Sequence, residues 1–127
     1  MGGFTPELKG KIKLRDGAHC VRCGDAAHTP DVHHRNARGM GGRDSHEWWI
    51  NDHSNLLTLC QDCHRWIEKH RDEAKVHGWL LKLEYGQEPS DVLVHYYDGQ
   101  VYRLHGDFFL TPVDFWREGM DVRELVA

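Results

Sequence analysis

No stretch of this chain approaches the roughly 18 consecutive apolar residues that a membrane-spanning helix requires. Runs such as Trp79-Leu80-Leu81 and Phe108-Phe109-Leu110 stop at three. The opening residues, Met1-Gly2-Gly3-Phe4-Thr5-Pro6, hold no signal-peptide apolar region. Pro6 also stands where N-myristoylation needs Ser or Thr. These absences lead to the expectation of a soluble, intracellular, cytoplasmic chain with no membrane partner. Internal repeats and low-complexity tracts are lacking too, which excludes solenoids and repeat arrays.

Positive charge is scarce: 16 Lys and Arg face 20 Asp and Glu, a net of −4. Each neutralised phosphate adds to polyanion binding, so with few cations only weak non-specific affinity for nucleic acid is expected. The deficit is unevenly spread. Residues 1–71 carry 11 cations against 9 anions (+2), and residues 72–127 carry 5 against 11 (−6). Eight of the eleven histidines also lie in the first part. A phosphate-bearing partner is therefore expected at the N-terminal part, with the acidic remainder facing away.

At 127 residues and 39% hydrophobic, the chain is long enough for one small domain with an appendage. Domains of this size often take stability from a metal. The expected division is a core over residues 1–80 and an acidic extension over 81–127, packed on it.

The four cysteines form two C-x-x-C pairs, Cys20/Cys23 and Cys60/Cys63, separated by residues 24–59. In a reducing compartment this pattern points to metal rather than disulfides. Four thiolates make the closed tetrahedral set of a structural zinc ion, which would tie two distant segments together and contribute directly to folding. Two other uses of the motif fail. Cys60-Gln61-Asp62-Cys63-His64 fits a c-type haem attachment pattern, but leaves the first pair unexplained. A zinc deaminase needs H-x-E ahead of P-C-x-x-C, and neither is present.

Local patterns place the motifs. Thr5-Pro6-Glu7 is a helix start, with Leu8, Ile12 and Leu14 as a thin apolar face and Gly17 as the stop. Asp31–Arg35 and Leu56–Leu59 read as short strands around a polar loop, 36–54, that holds Gly39, Gly41 and Gly42. Gln61 to about Val76 has helical spacing, with Gly78 after it. Asp98-Gly99 between Val92–Tyr97 and Gln100–Leu104 signals a hairpin, and Phe108–Leu110 is a candidate third strand. Thr111-Pro112-Val113-Asp114 repeats the capping pattern of a helix that would end at Gly119.

Within the cysteine brackets, His33 and His34 occupy adjacent strand positions and so point to opposite faces. In this order, C-x-x-C, His33-His34, the glycine loop, Asn55-Leu56 and Leu59-Cys60-x-x-Cys63-His64 resemble the HNH, or ββα-metal, endonucleases over about Cys20 to Arg71. Through Trp66, His70-Arg71, Gly78-Trp79-Leu80 and the hairpin, residues 65–110 also resemble small HNH proteins of actinobacterial phages. The resemblance implies an α+β fold: a ββα core stapled by a four-cysteine structural zinc, an N-terminal helix and a C-terminal hairpin extension. It implies hydrolysis of DNA phosphodiester bonds, as a nick or a double-strand cut. It gives His33 and His64 as ligands of a catalytic divalent metal (Mg²⁺, Mn²⁺, Ni²⁺ or Zn²⁺), His34 as general base, and Asn55 as the residue bracing the loop. Asn51 is a rival for that last role.

Glu68, one helical turn after His64, is either a further ligand or a solvated acid. Arg35, Arg38 and Arg43 are the candidate phosphate contacts, with a solvated loop as the alternative. Trp48-Trp49 either packs in the core or stacks on a base. Competing readings are a non-catalytic zinc module that binds DNA or protein, and an accessory nuclease working with a phage packaging protein. A single site nicks one strand, so double-strand cleavage calls for an oligomer or two separate events.

Overall fold

The computed structural model describes residues 5–26, 30–36, 51–83, 86–107, 109–113 and 120–124. Among these the chain is α+β, with three helices and two small antiparallel sheets. Helix α1 spans Pro6–Arg15, followed by strands β1 (Asp31–His34) and β2 (Leu56–Leu59) and helices α2 (Gln61–Lys69) and α3 (Arg71–Val76). A three-stranded sheet closes the order, with β3 (Val94–His95), β4 (Val101–Leu104) and β5 (Leu110–Val113). Helical turns of the 3₁₀ type cover His53–Asn55, Pro89–Asp91 and Val122–Glu124. Among the described residues no helix is long and apolar enough to cross a membrane.

Thr5 caps α1 as its sequence requires, its hydroxyl accepting from the Leu8 amide at 3.1 Å. Of the expected apolar face, Ile12 is fully buried against Val32 and Leu56 with Leu8 beside them, whereas Leu14 is 75% exposed. Strands β1 and β2 pair with His33 opposite Leu57 and His34 opposite Leu56. The hairpin turns at Gly99 (φ +85°), with Tyr96 N–H donating to the Gln100 carbonyl at 2.8 Å.

Two expectations need correction. The helical stretch from Gln61 to Val76 is broken at His70, whose backbone (φ −127°, ψ 56°) leaves the helical region. Its ring turns back to the Trp66 carbonyl (Nδ1 at 2.9 Å) and stacks on the Trp66 indole, 4.3 Å between centroids, which holds the break in place. Thr111 does not cap a helix, and residues 114–119, where the rest of the expected helix would run, lie outside the described residues. Leu110–Val113 is strand β5, paired along β4 from Leu104↔Leu110 to Val101↔Val113. Ladder bonds to β4 outweigh a local signal worth about 1 kcal/mol.

One apolar cluster takes Val21, Leu57, Leu59 and Ile67 together with Trp79, Leu80, Val94, Tyr96 and Leu104. It therefore draws on both sheets. A buried polar network reinforces the same joint. The Asp16 carboxylate accepts from Arg15 (2.8 and 3.0 Å), from the Thr58 amide (3.1 Å) and from the Tyr96 hydroxyl (2.6 Å). Arg15 also donates to the His53 and Leu56 carbonyls. The end of α1, strand β2 and the hairpin are thus bonded through one ion pair that is at most 1% exposed. Such a pair is fully satisfied, the condition under which burying it is tolerated.

Candidate functional site

The two cysteine pairs come together. Their sulfurs all lie within 4.8 Å of one another, with Cys20, Cys60 and Cys63 buried and Cys23 exposed. Cys23 and Cys60 sulfurs are 3.8 Å apart, far beyond a disulfide bond of about 2.05 Å. The same separation matches the edge of a tetrahedron built on zinc–sulfur bonds of about 2.3 Å, which is roughly 3.8 Å. Local structure explains the convergence. Gly24 adopts φ +80° and its amide donates to the Cys20 carbonyl at 2.8 Å, closing the first knuckle. A Cβ at Gly24 would also meet the Tyr97 ring at 2.6 Å. Val21 N–H donates to the Thr58 carbonyl (2.8 Å), fastening that knuckle to β2 just ahead of the second pair.

The Cys60 sulfur doubles as the N-cap of α2, accepting from the Cys63 amide at 3.4 Å. Burial opposes ionisation of Cys20, but the amides of Cys23, Cys60 and Arg22 outweigh it and hold that thiol below its ordinary value. Cys63 moves the other way: burial pushes its thiol up, and Cys20 and Cys60 add to the rise against the pull of Arg22. Four adjacent thiols cannot all ionise alone, and a dication removes that conflict. The donor set therefore fits zinc, as the spacing predicts. Arg22 donates to the Cys63 sulfur at 3.4 Å and lies 3.8 Å above the Trp66 ring centroid. It was not among the residues singled out from sequence, although a cation inside a C-x-x-C pair is a readable sign of compensation for thiolate charge.

Beside this cluster lie the histidines. His33 on β1 stacks on His64 in the first turn of α2, with ring centroids 3.9 Å apart and planes at 19°. Burial, then the neighbouring His64, pushes the His33 pKa down to about 4, so its imidazole is neutral at pH 7. Glu68 reaches the same group, its Oε2 3.8 Å from His64 Nε2, while its Oε1 accepts from Arg71 at 3.0 Å. Two imidazoles and a carboxylate form a donor set of the borderline kind that takes Mn²⁺, Ni²⁺ or Zn²⁺. Among the described residues, however, the four thiols are the one group of three or more such side chains whose donor atoms all fall within 4.8 Å. His33, His64 and Glu68 are brought side by side without closing to that spacing.

His34 lies on the other face of β1. Its Nε2 is 2.9 Å from the Asn51 side-chain oxygen. Asn55, fully buried, clamps the end of the strand: its amide donates to the Asn36 carbonyl at 3.1 Å and its oxygen accepts from the Asn36 amide at 3.0 Å. Asn51 and Asn55 therefore divide two jobs between them. One touches the His34 ring and the other holds the turn after it. Sequence spacing treated them as rivals for one.

Arg35 overturns its expected role as a phosphate contact. The residue is 0% exposed, and its guanidinium donates to five backbone carbonyls: Gly78, Ser54, Pro89, Val92 and Leu93, at 2.8 to 3.4 Å. All five N–H groups are used and no surface remains for a phosphate. Burial pushes its pKa down to about 9, which keeps it charged at neutral pH. The approach of Gly78 is part of this cage: it adopts φ +79°, and a Cβ there would collide with the Leu93 oxygen. Arg38, Arg43, Trp48, Trp49 and the glycine loop lie outside the described residues.

Compared with known proteins, the chain matches no family model, no curated protein and no solved structure.

Proposed function

We propose that this chain is a metal-dependent endonuclease of the HNH kind, hydrolysing phosphodiester bonds in DNA, with β1, β2 and α2 as its ββα-metal core. The observation that carries the reading is the contact between His33 and His64, a strand residue and a helix-start residue 31 positions apart, beside a cysteine cluster that can fix both segments. In this reading zinc on Cys20, Cys23, Cys60 and Cys63 is structural. His33 and His64, with Glu68 as a third donor, would hold the catalytic divalent cation. When bound, that cation supplies stabilisation of the charge that grows on the phosphate and the leaving 3′ oxygen.

The chain's own residues do the rest. Asn51, its side-chain oxygen 2.9 Å from His34 Nε2, orients the imidazole that in this reading takes a proton from the attacking water. Asn55 holds the Arg35-Asn36 turn and so fixes the direction in which β1 presents His34. A base in this position contributes about 10²–10⁴-fold.

One observation favours a second reading. His33, His64 and Glu68 lack the close spacing of the thiols, as expected of a zinc module that binds DNA or protein without cutting, or of an accessory to a phage packaging complex that needs its partner. Supercoiled plasmid incubated with the zinc-loaded protein and Mg²⁺, Mn²⁺ or Ni²⁺ separates the two. The nuclease reading requires nicking that drops about 100-fold or more in His34→Ala while the melting temperature stays put. Nicking at the native rate in His34→Ala removes the proposed base. No cleavage with any metal leaves the binding module standing.

A further inference from the structure

With Arg35 sealed inside, and Arg38 and Arg43 outside the described residues, the described cations that can meet a phosphate lie elsewhere. Helix α1 carries Lys9, Lys11 and Lys13, while its fourth cation, Arg15, is committed to the buried Asp16 pair. The helix packs on both β1 and β2, so these lysines border the strand that bears His33 and His34. Lys9 reaches that strand directly, with Nζ 3.2 Å from the Asp31 carboxylate, two residues before His33.

We infer that α1 is a phosphate-binding strip, with Lys9 and Lys13 contacting the backbone of duplex DNA and delivering it to the His33–His34 strand. The inference rests on the nuclease reading for the identity of the substrate, though not for the surface itself.

Lys9 and Lys13 are one helical turn apart, about 6 Å along the axis, and share a face that neither Ile12 nor Leu8 occupies. Both act on β1. Against burial, the Val32 amide and Lys9 hold the Asp31 carboxyl below its ordinary value, with Lys13 adding to the effect. Lys11, exposed on the other flank, is felt at His53. The Lys9–Asp31 pair does not compete strongly with a phosphate. Its side chains are 37% and 53% exposed, and solvent-exposed pairs of this kind hold their partners weakly. The lysines also lie on the half of the chain with net positive charge, remote in sequence from the acidic half.

The test is fluorescence anisotropy of a labelled DNA duplex against zinc-loaded protein over a series of salt concentrations, with no divalent metal added. Each phosphate contact contributes about 0.9 to the slope of log K against log salt. Lys9→Gln/Lys13→Gln is expected to lower the slope by about one to two and affinity at low salt by about tenfold. Lys9→Arg/Lys13→Arg should keep both. Lys75→Gln/Lys82→Gln, with the same change in net charge, should leave the slope alone. If the glutamine double variant melts early, Lys9→Gln alone carries the test, with an expected fall of about 0.9. Equal slopes for the α1 and control variants overturn the strip, as does a native protein that binds no duplex at low salt. Binding that follows the lysines without any plasmid nicking keeps the strip and removes the nuclease reading. Nicking with binding indifferent to the lysines does the reverse.

Discussion

The cysteine cluster and the histidine group lie side by side but are built to different tolerances. Every sulfur of the first is within 4.8 Å of the others, with amide and guanidinium donors aimed at the thiols. The second has two stacked rings, a carboxylate 3.8 Å from one of them and His34 on the opposite face of the strand. A site that holds its ion as part of folding is best closed and saturated. A site that must also admit a phosphate and a water gains from open positions. The looser spacing is compatible with the proposed catalytic site and equally with the binding module, whereas the tight one marks a closed metal frame.

The cysteines carry the largest expected effect. Cys60→Ala removes a thiol and the cap of α2 together, so it should abolish the cooperative melting transition and zinc retention. Structural zinc is worth about 10–16 kcal/mol in small domains, more than such a domain has to spare. A folded, active Cys60→Ala protein would mean the cluster is not the frame.

Arg35 sharpens the frame from the other side. Arg35→Ala leaves five inward-facing carbonyls without a donor and should cost about 3–5 kcal/mol in urea unfolding, with zinc content unchanged in the fraction that folds. A loss under about 1 kcal/mol, the size of one ordinary hydrogen bond, would contradict the cage.

The smallest effect concerns pH. His77 Nδ1 lies 3.1 Å from His95 Nδ1, and burial, with help from Arg22, holds the His77 pKa below its ordinary 6.5 against the pull of Glu73. Its stabilising contribution is therefore complete above about pH 6.5 and is lost as pH falls through the lower folded value, because the unfolded chain takes up the proton first. The fall in urea midpoint between about pH 7.5 and about pH 5.5 should be shallower in His77→Gln than in the native chain. Parallel curves would show that His77 carries none of it.

The elements written in short-range code were readable: the Thr5 cap, β1, β2, the Asp98-Gly99 hairpin and the meeting of the two C-x-x-C pairs. What escaped depends on residues far apart in the chain. Arg35 follows two histidines before a glycine-rich loop, an ordinary surface setting, and only the arrival of Ser54, Gly78 and 89–93 encloses it. The break at His70 depends on an imidazole folding back on Trp66, and helical periodicity continues straight through it. Thr111 satisfies the rules of a cap, yet its neighbour in space is Arg103. Asn51 and Asn55 both suit the bracing role by type, and only geometry tells which one meets His34 and which one meets Asn36.

The carbonyl cage around Arg35 also limits how this protein can be cut or rearranged. A piece ending at Leu80 would keep all four cysteines and every proposed site residue, and so would pass as a minimal enzyme. It would lose the Pro89, Val92 and Leu93 acceptors, three of the five that surround a charge with no carboxylate partner among the described residues. The segment after residue 80 is thus no detachable accessory. It supplies the far wall of a compartment whose occupant is the residue next to His34, so trimming the tail would unsettle the strand that carries both histidines.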